Sequence, residues 1–241
     1  MPDTPRHDGR ACDQLRDVTI TPDFVRSAYG SCLIEMGNTR VICTASFEPQ
    51  VPSWRIGSGC GWVTAEYGML PASTGRRKGR PIAKPDSRAV EIQRLIGRVL
   101  RNAVDLDATG EVTFTLDCDV LEADGGTRTA GITGAYVALV RAINRAAGEQ
   151  LCPPDVLRSQ IAAVSVGIVA GQCVLDLDYA EDAAAEVDMN VAIDQDQNLL
   201  EVQGTGEKCG FTRRQTNRLL DLAAAGVAEL MQHQNKAIQG A

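Results

Sequence analysis

The chain has 241 residues, of which 44% are hydrophobic, 23% charged and only 4% aromatic, the composition of an ordinary globular protein with one large domain or two intimately packed small ones. Its longest apolar run, Ile161 to Ala170, falls well short of the roughly 20 residues that cross a bilayer, and the first residues lack the apolar stretch of a secretory signal, so a cytoplasmic protein is expected. The formal charge of −7 argues against a polyanionic partner only if the charge is evenly spread, which it is not.

In chain order, Cys32 to Met36 and Thr39 to Ser46 are β-rich runs around Gly37-Asn38, a two-residue hairpin signal. Residues 49–86 are rich in proline and glycine and read as long loops around a short segment, Gly61 to Ala65. From Ser87 a helix is predicted, with Ile92, Leu95, Ile96, Val99 and Leu100 on one face and Arg94, Arg98 and Arg101 on another. A strand follows in which Val112, Phe114, Leu116, Cys118 and Val120 alternate with polar residues that include Asp117 and Asp119. It leads through Glu122 to Thr129 into a second helix carrying Ala135, Leu139 and Ile143. The second half repeats the theme: a hairpin of Ile161–Val169 and Cys173–Asp178 across Ala170-Gly171, strands at Asp188–Ile193 and Leu199–Gln203, and a helix from about Arg213 to His233. Strands then helix, twice, predict an α+β fold with mixed sheets, one domain over residues 1–241 in two similar halves, about 1–150 and 151–241.

Charge and motifs narrow the chemistry. Residues 76–101 carry Arg76, Arg77, Lys78, Arg80, Lys84, Arg88, Arg94, Arg98 and Arg101 against Asp86 and Glu91, a window of +7 that leaves −14 for the remainder. Asp176, Asp178, Glu181, Asp182, Glu186 and Asp188 concentrate the opposite sign within thirteen residues. Such runs are ordinarily solvated faces, but one anion-attracting and one cation-attracting stretch also suit a phosphate-handling site. The eight cysteines stand at least eleven residues apart, which excludes CxxC zinc and thioredoxin-like sites. The only histidines, His7 and His233, lie near the termini, which removes most Ser-His-Asp, Cys-His and HExxH chemistries.

Asp124-Gly-Gly-Thr-Arg-Thr129 sits where a strand turns into a helix. Its glycines allow a tight turn, the helix N-terminus offers unpaired N–H groups, and Arg128 adds a fork able to grip a phosphate; the alternative is a plain turn with a threonine cap. It is neither a Walker A loop nor a dinucleotide-binding fingerprint. Arg88 opens the helix of the basic segment, where a cation opposes the helix dipole unless an anion also binds. Asp182 and Asp188 flank small residues before a strand and form a carboxylate pair of the kind that holds Mg²⁺, with capping or solvated loop carboxylates as the alternative.

These residues fall in motifs that resemble the ribonuclease PH family of phosphate-dependent tRNA nucleotidyltransferases. The match runs through Arg6-x-Asp-Gly-Arg10 with Leu15-Arg16, Gly61 to Pro71, Arg88 to Arg98, Thr115 to Leu121, Ala123 to Ala130, Glu181 to Asn190 and Glu201 to Thr205, in the family's order. The resemblance implies two related βαβα-type halves assembled as a hexameric ring, a trimer of dimers. It implies a phosphorolytic 3′→5′ exoribonuclease that trims tRNA precursors and can act on other structured RNAs, with reverse nucleotide addition accessible. By motif, Arg88, Gly126, Thr127 and Arg128 bind inorganic phosphate, Asp182 and Asp188 hold Mg²⁺ and serve catalysis, and the loop with Arg76, Arg77 and Arg80 contacts tRNA. That loop departs from the family pattern in carrying two prolines and in placing Asp86-Ser87 before Arg88. Two other readings compete: a silent subunit of an exosome-like ring, and a hydrolytic metal-dependent nuclease using Asp117, Asp119, Asp182 and Asp188.

Overall fold

A computed structural model describes residues 6–80 and 86–240, so Lys84 of the basic window lies outside the described residues. The strands are β1 (Val18–Pro22), β2 (Gly30–Met36), β3 (Thr39–Glu48), β4 (Trp62–Met69), β5 (Thr113–Glu122), β6 (Ile161–Val169), β7 (Gln172–Leu175), β8 (Val187–Asp194) and β9 (Leu199–Gly206). The helices are α1 (Ser87–Leu100), α2 (Thr127–Gly148), α3 (Tyr179–Ala184) and α4 (Arg213–Gln239).

The first sheet has the order β1-β2-β3-β5-β4 and the second β7-β6-β8-β9. In the first, β4 runs parallel to β5 through the crossover helix α1, while the remaining pairs are antiparallel. The second sheet is antiparallel throughout. Helices α2 and α4 pack against each other, and each packs on strands of both sheets. Small residues on every side, such as Gly131, Gly134, Ala138 and Ala142, let α2 be buried almost all round. At Gly30 the approach is closest: a Cβ there would stand 2.2 Å from the carbonyl oxygen of Ala138. One hydrophobic cluster runs through both sheets, from Ile34 and Phe114 to Ile161, Val191 and Leu230.

The α+β architecture with a mixed sheet is as expected, but several local expectations need correction. Of Gly61 to Ala65, read as a short segment among loops, Trp62 to Ala65 open an eight-residue strand. Val63, Ala65 and Tyr67 are buried and alternate with Thr64, Glu66 and Gly68 on the other face, and pairing with β5 from Trp62↔Thr113 to Met69↔Val120 supplies backbone partners that lie across the crossover. Strand β1 was not anticipated; it is a half-exposed edge strand ending in Pro22, which an edge tolerates. Strand β7 stops at Leu175 rather than running to Asp178, because Asp176 adopts a left-handed φ of 53° that ends the ladder. The short helix α3 also escaped the sequence; Asp178 and Glu181 form a reciprocal capping box at its start. Helix α4 continues to Gln239, beyond the expected His233. Among the described residues no helix is long and apolar enough to cross a membrane.

Candidate active site

The turn after β5 is shaped by two glycines in the left-handed region, Gly125 at φ 78° and Gly126 at φ 67°. A Cβ on Gly125 would come within 2.6 Å of the backbone at Leu177 and Asp178, so the turn presses directly against the segment that enters α3. Gly126 is the N-cap of α2 and no side chain caps that helix. The N–H groups of its first turn are left to whatever occupies the space in front of them. Thr127 is held by a hydrogen bond from the Tyr67 hydroxyl to its Oγ1 at 2.8 Å.

The space in front is a cleft of about 770 Å³ that continues into a polar cavity of about 290 Å³. The structure brings Arg88, Gly126, Thr127, Arg128, Asp182 and Asp188 to the lining of this cleft, although more than ninety residues separate Arg88 from Asp182 in sequence. Arg76 reaches it as well, whereas Arg77 and Arg80 are exposed and do not line it. Asp117 and Asp119 stand elsewhere, on the face of β5 turned away from α2 and in register with Glu66 and Gly68 of β4. The four carboxylates that a hydrolytic nuclease would use are therefore not gathered at one point.

The cations of the cleft are poorly satisfied. Arg88 begins α1 behind the cap Asp86, whose Oδ1 accepts from the Arg88 backbone at 3.1 Å, and its guanidinium makes no hydrogen bond or ion pair among the described residues. Arg128 reaches Oε1 of Gln203 only at 3.5 Å and Oε2 of Glu91 at 3.6 Å, and its buried Nε has no partner at all. A buried donor left unpaired costs about 1–3 kcal/mol, so an acceptor in the cleft would relieve a strain already present.

The anions are in the same condition. No ion pair within 4.0 Å reaches Asp182 or Asp188 among the described residues. Burial and the neighbouring charge of Asp182 push the Asp188 carboxyl up to about 6, against the opposing pull of Arg128. Asp182 is raised too, chiefly by desolvation in the cleft wall, although Arg88 and Arg128 act the other way. Glu207 adds to the repulsion on both.

Beneath the cleft lies a second set of charges that is fully paired. Arg16 grips the buried Asp176 through Nε at 3.0 Å and Nη2 at 2.7 Å, and its Nη1 donates to the Asp124 carbonyl at 2.6 Å. Arg6 holds Glu181 through Nε at 2.7 Å and Nη2 at 2.5 Å and also reaches the Leu175 and Asp176 carbonyls at 2.9 and 3.0 Å. Arg16 thus ties the glycine turn to the approach of α3, and Arg6 fixes the residue beside Asp182. Sequence reasoning singled out Arg6, Arg10 and Arg16 only as motif positions and gave them no role, because their partners lie 160–175 residues away. It also missed Glu91 and Gln203, which back Arg128; both reach it from other elements, so no local spacing signals the contact.

Residues 14–143 match the 3′ exoribonuclease family, domain 1, and residues 159–226 match domain 2 of the same family. The chain is 55% identical over 238 residues to a protein named Ribonuclease PH from Rhodococcus erythropolis, covering 98% of this chain and 91% of the relative. A protein of the same name from Corynebacterium efficiens is 54% identical, covering 97% of this chain and 96% of its own. Among solved structures, a chain of the Archaeoglobus fulgidus exosome with RNA bound to the active site superposes with a TM-score of 0.79 at 22% identity, covering 95% of this chain and 92% of that one.

Proposed function

The chain belongs to the ribonuclease PH family of 3′ exoribonucleases, and from that membership and the geometry of its cleft we propose that it removes nucleotides one at a time from RNA 3′ ends by phosphorolysis. The observation that carries the reading is the unpaired, buried Nε of Arg128, set beside Arg88 and an uncapped helix N-terminus in one cleft. Three elements there favour a small polyanion: two guanidinium groups and the first N–H groups of α2. Inorganic phosphate held by Arg88, Arg128 and the backbone at Gly126 and Thr127 is aimed at the phosphorus of the last internucleotide bond.

In the reaction an oxygen of the bound phosphate forms a bond to that phosphorus, and the bond from phosphorus to the 3′ oxygen of the penultimate ribose breaks. The 3′ oxygen gains a proton, and the products are a nucleoside diphosphate and an RNA one nucleotide shorter. Fixing phosphate against the reacting phosphorus supplies much of the rate, since phosphoryl transfer depends mainly on positioning and charge stabilisation. One phosphate linkage replaces another, so the reverse addition of nucleotides from diphosphates belongs to the same site.

Asp182 and Asp188 fit a divalent cation on the chemistry of the donor set: two hard oxygen donors, mutually repelling, with no cationic partner within ion-pair distance among the described residues. Mg²⁺ bound there would neutralise charge building on the departing 3′ oxygen. Ionised Asp182 and Asp188 repel a phosphodiester directly, so their part would be to hold that cation beside Arg88 and Arg128 in the cleft. The exposed Arg76, Arg77 and Arg80 extend positive charge outward from the cleft and suit contacts to the body of a tRNA precursor. We also read residues 1–241 as one domain, on the strength of the cluster shared by its halves, acting in the cytoplasm as a hexameric ring.

Arg128→Ala tests the reading. Phosphate-dependent release should fall about 10²–10³-fold, the loss typical of removing one preorganised charge-stabilising donor, while circular dichroism stays that of the parent. Unchanged release at saturating phosphate would remove Arg128 from the anion site.

A further inference from the structure

We propose that Tyr179 is the platform on which the base of the 3′-terminal nucleotide stacks, an inference that rests on the phosphorolytic reading of this cleft. Tyr179 is 65% exposed, yet it lines the cleft together with Arg88, Arg128, Asp182 and Asp188. Its backbone is fixed. It is the first residue of α3, directly after the cap Asp178, and its N–H donates to Oδ1 of Asp124 at 3.3 Å. Asp178 is itself held by His7 Nε2 at 2.6 Å. The ring, by contrast, has no aromatic or cationic neighbour and its hydroxyl no hydrogen bond among the described residues.

The cleft is chemically divided, and the division suits a nucleotide. The larger part, which Tyr179 lines, takes in Met69 at the end of β4 and Ala123 after β5 as partly exposed apolar residues beside the charged ones. The adjoining cavity is lined by Arg88, Arg128, Asp182, Asp188, Asn190 and Gln203, all polar. A terminal nucleotide whose phosphate lies among the charges has its base directed to that larger part, where a rigidly anchored aromatic face is free. Stacking recognises every base through its π-face, so the platform serves an enzyme that must remove successive nucleotides whatever their identity.

The test compares RNAs that differ only at the 3′-terminal residue, one with a normal base and one abasic, using the parent protein, Tyr179→Phe and Tyr179→Ala. The parent should lose about tenfold in kcat/KM on the abasic end, mainly through KM, and Tyr179→Phe should behave as the parent. Tyr179→Ala should drop about tenfold on the normal RNA and no longer distinguish the two ends. An equal preference for the base in the parent and in Tyr179→Ala overturns the proposal. So does a changed oligomer mass in light scattering with the base preference intact, which would make Tyr179 an interface residue. Absence of any nucleoside diphosphate from the parent would instead overturn the reading of the site as a whole.

Discussion

Two clusters of arginine and carboxylate meet at α3, and they are built in opposite ways. In one, Arg6 and Arg16 close bidentately on Glu181 and Asp176, all four side chains are buried, and the remaining donors find carbonyls. In the other, Arg88 and Arg128 face Asp182 and Asp188 across a cleft, no ion pair joins them, and one guanidinium nitrogen is orphaned. Glu181 and Asp182 are adjacent in sequence, yet one caps and braces a helix while the other waits for a ligand. Charges of the same kind are structural where their partners come from the chain and functional where the partners must come from outside.

Breaking the closed cluster should produce the largest effect. Arg16→Ala leaves Asp176 buried and unpaired and should cost about 3–5 kcal/mol in chemical denaturation. Loss below about 1 kcal/mol would mean that water already shares that pair. In the open cluster the consequence is reversed: Asp188→Asn should reduce phosphorolysis at least about 100-fold across Mg²⁺ concentrations while leaving the protein as stable or more so. Near-parental rates would put the metal elsewhere.

The pH dependence sharpens the contrast. The folded-state pKa of Asp188, about 6, lies above its reference value of 3.8, so ionising it costs stability in full above pH 6, and the cost disappears as pH falls through 6 toward 4. The Tm advantage of Asp188→Asn over the parent should therefore be larger at pH 7.5 than at pH 5, and an advantage independent of pH would contradict the assignment. For the same reason Mg²⁺ should bind more tightly at pH 7.5 than at 5.5, with proton release detectable by calorimetry in buffers of different ionisation enthalpy. The smallest effect is expected at Asp119, which lies outside the cleft; Asp119→Asn should change turnover less than about twofold, within the range of ordinary surface substitutions.

The same contrast explains what the sequence made legible. Gly125-Gly126-Thr127-Arg128, Arg88 at a helix start and the acidic pair around Ala183–Ala185 each advertise themselves within a few residues, through turn chemistry, capping and local charge. The alternation of Phe114, Leu116, Cys118 and Val120 likewise identified the buried face of β5 and turned Asp117 and Asp119 outward. Strand β4 was largely hidden because its partner lies across a crossover, and α3 because six residues give no helical period. The closed cluster was hidden for a similar reason: Arg16 and Asp176 meet only after both halves have folded, and no spacing rule connects residues 160 positions apart.

The most direct measurement is the product released when a tRNA bearing a few extra 3′ nucleotides is incubated with the protein and Mg²⁺, with and without inorganic phosphate. The account predicts nucleoside diphosphates that appear only with phosphate. Nucleoside monophosphates in its absence would make the protein a hydrolase, and no release in either case would make it a silent member of a ring.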